Sequence, residues 1–212
     1  MQDNMPSQLQ EPICINVDKV FDWIVKEASF EFSPTGPISF PGVTATTDLV
    51  NAVVTCSVVP SATSPVKILH RENRQFTIDS ATVCLQNLTI QKTFTLTLVV
   101  TALNGQRFTS LPITVSRCEQ VTLCAPQGTD VEILFTDLDC FVCSVGTPQA
   151  GTNTITFTDL HVTISVCQSI QSTFPVTVEF LATFCEPRAE LPFACPGVVR
   201  PAQCPAVFPP HG

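Results

Sequence analysis

"IQKTFTLTLVVTA", residues 90–102, decides the class of fold. Ile90, Phe94, Leu96, Leu98, Val100 and Ala102 fall on one side of a two-residue period, and Thr93, Thr95, Thr97, Val99 and Thr101 fall on the other. Lys92 alone interrupts the apolar row. Such alternation in β-branched residues suits a pleated strand with one face buried, whereas a helix would scatter both sets round its circumference. Nearer the start, "ICINVDKVFDWIVKE" (13–27) fits two periods. Val17, Val20, Phe21, Ile24 and Val25 fall at helical spacing; Ile15, Val17, Phe21, Trp23 and Val25 alternate with Asn16, Asp18 and Asp22. Because the rest of the chain has period two, a first strand is expected here, with Phe21 and Trp23 anchoring a core.

The pattern of 90–102 returns in "IQSTFPVTVEFLAT" (170–183), with Ile170, Phe174, Val176, Val178, Phe180 and Ala182 in the same phase. The offset of 80 persists to Leu111-Pro112-Ile113 and Leu191-Pro192-Phe193. Upstream, Thr47-Asp48-Leu49 and Cys56-Ser57-Val58 are answered by Thr136-Asp137-Leu138 and Cys143-Ser144-Val145, and Cys84 by Cys167. Matches in this order point to an internal duplication. The expected fold is all-β: two similar antiparallel β-sandwich units, immunoglobulin-like or jelly-roll-like, from a repeat of about 80 residues. The divisions are a flexible N-terminal arm (1–12), β unit 1 (13–110), β unit 2 (111–194) and a Pro/Cys-rich C-terminal tail (195–212). Separate domains and one intertwined sandwich both remain open. Turn signals fall at "SPTGP" (33–37), "PSATSP" (60–65), "LNGQ" (103–106), "APQGTD" (125–130) and "GTPQAGTN" (146–153).

Of the 212 residues 44% are hydrophobic and 13% charged, which excludes a disordered, solvating chain. Ten Lys+Arg against eighteen Asp+Glu give a net charge of −8 with no basic cluster, so neither nucleic acid nor an anionic membrane is an expected partner. Apolar runs are too short for a transmembrane helix. "MQDNMPSQLQEP" has neither a positive start nor an apolar stretch, so no secretory signal is expected. Yet the eleven cysteines (14, 56, 84, 118, 124, 140, 143, 167, 185, 195 and 204) suit an oxidising compartment. The two readings conflict, and the odd count leaves at least one thiol free or bonded to another chain.

Catalytic and metal chemistry find little footing. Cys140 and Cys143 form a CxxC, but in a strand pattern, where positions i and i+3 face opposite sides. Cys118 and Cys124 are too loosely spaced to complete a zinc site. His161 alternates with apolar neighbours as a strand residue, and His70 and His211 lie in loop and tail. Asp130, Glu132, Asp137 and Asp139 read as solvated edge charges rather than calcium ligands. No nucleophile elbow or phosphate-binding glycine loop is present. No enzyme, cofactor or metal site is expected.

Cys14 followed by Lys19-Val20-Phe21-Asp22-Trp23, on a cysteine-rich β chain, resembles the morphogenetic spore-coat and exosporium proteins of endospore-forming bacteria. It is also similar in character to endospore appendage fibre subunits. The resemblance implies a structural subunit made in the mother-cell cytoplasm without a signal peptide. Such a subunit assembles on the spore surface as a homo-oligomer or polymer, with other spore-surface proteins as further partners, and oxidation follows lysis. Cys14, Cys195 and Cys204 lie in or beside terminal segments and are the expected intermolecular links. Within the units, the repeat pairs Cys56 with Cys84 and Cys143 with Cys167. A different reading is a β-sandwich adhesin or viral decoration module presenting loops to a glycan or protein.

Overall fold

The computed structural model describes residues 11–78 and 80–182. Among the described residues eleven strands are formed: β1 (Glu11–Phe32), β2 (Ile38–Ser39), β3 (Val53–Pro60), β4 (Val66–Ile78), β5 (Ala81–Thr101), β6 (Arg107–Thr109), β7 (Ile113–Leu123), β8 (Asp130–Ser144), β9 (Pro148–Ala150), β10 (Thr154–Phe157) and β11 (His161–Ala182). The described residues are all-β with several antiparallel pairings, and among them no helix is long and apolar enough to cross a membrane. The five turn signals fall between strands, the last of them enclosing the short β9.

Two long strands organise the sheets. β5 has β3 and β4 along one side and β7 and β6 along the other, since β3 and β7 both pair with residues 94–96. β11 is likewise central, between β1 and β8. A small third sheet runs β2-β10-β9. As its alternation requires, β5 buries Leu88, Ile90, Lys92, Phe94, Leu96, Leu98 and Val100. Phe94, Leu96, Leu98 and Val100 meet Val162, Ile164 and Val166 of β11, with Phe40 and Phe157 of the small sheet closing the same cluster, while Leu88 and Ile90 join Ile170 of β11 in a second one. The rings of Phe30 and Phe135 lie 5.7 and 5.4 Å from that of Phe94. Strands of both expected units, 13–110 and 111–194, therefore share one core within the compact unit Val17–Val176. In the chain's other unit, described at 11–16 and 177–182, the Thr177 hydroxyl donates to Asn16 Oδ1 at 2.7 Å.

Two sequence expectations change here. Residues 13–27 do form a strand, but Phe21 and Trp23 are not core anchors: they are 38% and 60% exposed. The cause lies further along β1. Phe30 and Phe32 pack on the main core and Ile24 on a second apolar cluster, so the even positions face inward. With a period of two, that choice sends Phe21, Trp23 and Val25 outward. The 80-residue correspondence does not reappear in burial either. β11 buries Val162, Ile164, Val166, Gln168, Ile170 and Ser172, whereas Phe174 and Phe180, matched by the repeat to the buried β5 row, are exposed.

Gly146, two residues past β8, has φ +59°, and a Cβ there would meet Thr158 Oγ1 at 2.5 Å and the Asp159 backbone nitrogen at 2.6 Å. Gly146→Ala is expected to destabilise the fold by at least about 1–2 kcal/mol from left-handed backbone alone, read as a lower urea midpoint.

Candidate functional site

Among the described residues the 22-residue β1 has one hydrogen-bonded neighbour, β11, which makes it an edge strand of its sheet. Ordinary strands run to about 5–6 residues, and exposed edges are usually short or blunted. β1 is held to β7 and to Cys124 just after it by polar contacts on its inner face. Asp22 Oδ2 accepts from the Cys124 backbone N–H at 2.8 Å, and Lys26 Nζ reaches the Gln120 carbonyl at 3.4 Å. Its outer face is apolar at Val17, Phe21, Trp23 and Val25, all exposed, Val25 to 69%, and charged at Lys19, Glu27 and Glu31. The Trp23 indole N–H donates to Ser169 Oγ at 2.7 Å, and Ser169 pairs in register with Leu134 of β8, also exposed. Trp23, Ser169 and Leu134 thus form one row across the outside of the sheet. The Lys19 ammonium sits 5.0 Å from the Phe21 ring centroid.

The cysteines distribute differently from the expected pairs. Cys56 of β3 is bonded to Cys140 of β8, with Cα atoms 6.0 Å apart, joining the two large sheets. Cys56 cannot pair with Cys84: it lies opposite Leu98, and fourteen positions of β5 from Leu98 to Cys84 span roughly 45 Å. Cys143 and Cys167 are also unbonded. Cys167 pairs with Asp137, six positions from Cys143 along β8, or roughly 20 Å. Cys143 instead contacts Thr163 Oγ1 at 3.0 Å. Cys14, Cys84, Cys118 and Cys143 are exposed and unbonded, while Cys124 and Cys167 are half-buried and unbonded. Cys195 and Cys204, expected as intermolecular links, lie outside the described residues. Among the described residues no cluster of three His, Cys, Asp or Glu side chains is placed to hold a metal ion.

Two polar groupings escaped the sequence reading. Ser33 Oγ lies 2.9 Å from His161 Nδ1, whose Nε2 lies 3.0 Å from Asp159 Oδ1. These are the residue types of a hydrolytic triad, but all three residues stand in the open, Asp159 60% exposed at its side chain, whereas such a triad buries its acid against the imidazole. The second grouping is buried. Lys92, 3% exposed, points from β5 into the space between the sheets, where it bonds to Glu119 of β7 and Gln168 of β11. Gln168 Nε2 donates to Glu119 Oε1 at 3.0 Å, and Lys26 Nζ stands 3.8 Å from Glu119 Oε2. Burial pulls the Lys92 ammonium below the usual lysine range; the Glu119 carboxylate opposes that shift. The signal for this grouping was present as the one charge on the apolar row of 90–102, but its partner on β11 lay 76 residues away.

Comparisons with protein-family models, with curated proteins and with solved structures return no match.

Proposed function

We propose that this chain is a structural subunit that self-assembles through β1 and is then locked by disulfides between copies. The observation that carries the reading is β1 itself: a 22-residue edge strand with an exposed apolar face centred on Trp23. Pairing at such an edge supplies backbone hydrogen bonds, and the apolar row supplies buried area. Four exposed, unbonded cysteines among the described residues leave thiols available for links between copies, Cys14 on β1 itself. The Lys19–Trp23 motif that resembles spore-coat and exosporium proteins lies on the same strand. The corresponding place of assembly is the surface of an endospore, as coat, exosporium or appendage.

On a denaturing gel without reductant, wild-type protein is expected to run as a ladder that reductant collapses to one band, with sheets or fibres in negative stain. Trp23→Asp changes a mostly exposed side chain and one hydrogen bond, so its stability loss should be about 1 kcal/mol while the ladder and particles disappear. A single monomer band without reductant and an empty field would sink the proposal. That outcome would favour a module that presents its loops to a glycan or protein.

A further inference from the structure

Lys92, Glu119 and Gln168 are arranged for more than burial of a charge. Lys92 is opposite Arg117 in the β5–β7 ladder, so Glu119 sits diagonally across from it, within reach of a long side chain. Gln168 comes from the other sheet, at the register shift between Cys167 and Gln168 in β11, where a bulge re-aims side chains. One carboxylate oxygen, Glu119 Oε1, contacts both the Lys92 amine and the Gln168 amide nitrogen. The other oxygen faces Lys26, which fixes the carboxylate's orientation. Phe94, Val166 and Phe30 wall a cavity of about 190 Å³ that also reaches Lys92 and Glu119.

We infer that Lys92 and Gln168 become joined by an isopeptide bond that the folded chain forms on itself, with Glu119 as the proton carrier. Glu119 Oε1 takes a proton from the Lys92 ammonium, and the freed amine lone pair attacks Gln168 Cδ. The Nζ–Cδ bond forms and the Gln168 carbonyl π pair moves to Gln168 Oε1. Glu119 then hands its proton to Nε2, the Cδ–Nε2 bond breaks with its electron pair going to nitrogen, and the carbonyl re-forms. Ammonia leaves and takes up the second proton lost by Nζ. The sum is one ammonium side chain plus one carboxamide giving one secondary amide plus ammonium, with no oxidant or reductant.

Three barriers normally stop this exchange in water, and the site lowers each. The partners are held in contact, which replaces a bimolecular encounter with a high effective concentration. Burial favours the uncharged amine that attacks. A single carboxylate links the nucleophile to the leaving group, the arrangement general acid–base catalysis requires. The bond would tie the central strands of the two large sheets to each other across the core. It lies within one chain, so it stands or falls separately from assembly between chains.

The test is tryptic mapping of reduced, alkylated full-length protein after prolonged incubation in the folded state at neutral pH. The expected product is a single species in which peptide 75–107, uncut at Lys92, is joined to peptide 118–188 with loss of one ammonia. Lys92→Arg should abolish it, and Glu119→Gln, which keeps both reacting groups, should abolish or greatly slow it. Separate 75–92 and 118–188 peptides at full mass from the folded wild type, or an ammonia loss that maps elsewhere, would overturn the inference. Undiminished linkage in Glu119→Gln would overturn the role of Glu119.

Discussion

Replacing both Cys56 and Cys140 with alanine is expected to lower stability by about 4.5 kcal/mol, the chain-entropy value for a loop of this length. The bond joins residues 84 apart and ties β3 of one sheet to β8 of the other, so its loss frees the unfolded chain at a long loop. For a unit of this size such a change corresponds to a fall in Tm on the order of 10 °C. The same fall should appear when the wild type is melted under strong reductant. The expected intra-unit pair makes the opposite forecast: Cys84→Ala should be close to neutral here, because Cys84 is exposed and unbonded.

The second large effect concerns Phe94. It is fully buried, and the rings of Phe30 from β1 and Phe135 from β8 pack on it from the facing sheet. Phe94→Ala removes the transfer energy of the ring and leaves a cavity between sheets that cannot close without moving both. The expected loss is about 3–5 kcal/mol, measured by urea unfolding. A loss below about 1 kcal/mol would mean that the two sheets do not meet at this ring.

How much of this was legible in the sequence follows from which interactions are local. The alternation of β5 and the turn signals are properties of short windows, and they fall where expected. The existence of β1 was legible for the same reason. Its orientation was not, because the apolar row changes phase along the strand. Ile15 to Val25 occupies odd positions, and the even positions of Phe30 and Phe32 win because they reach the core. The residues that lost that contest, Phe21, Trp23 and Val25, became the exposed face on which the proposed assembly rests.

The cysteine pairing and the polar cluster failed to show for a different physical reason. Both are made across the gap between sheets, and nothing in a two-residue period says which strand of one sheet lies over which strand of the other. The repeat pairs Cys56 within its own unit, but β3 lies over β8, so its partner is Cys140. Lys92 stood out as a flaw in an apolar row; only the placement of β7 and β11 supplies Glu119 and Gln168 to it. A repeat read from matching residues also misled where strand environments differ, since Phe174 of β11, matched to the buried Phe94 of β5, is exposed.

The most direct measurement mixes nitrogen-14 and nitrogen-15 protein in equal parts, both reduced and folded, before oxidation in air and non-reducing peptide mapping. Assembly through β1 with locking between copies predicts that disulfides of Cys14 join light to heavy peptides as often as chance allows. Cys56–Cys140 should occur only within one isotope. Cys14 left unbonded, or paired only within one isotope, would contradict the proposed role of this strand.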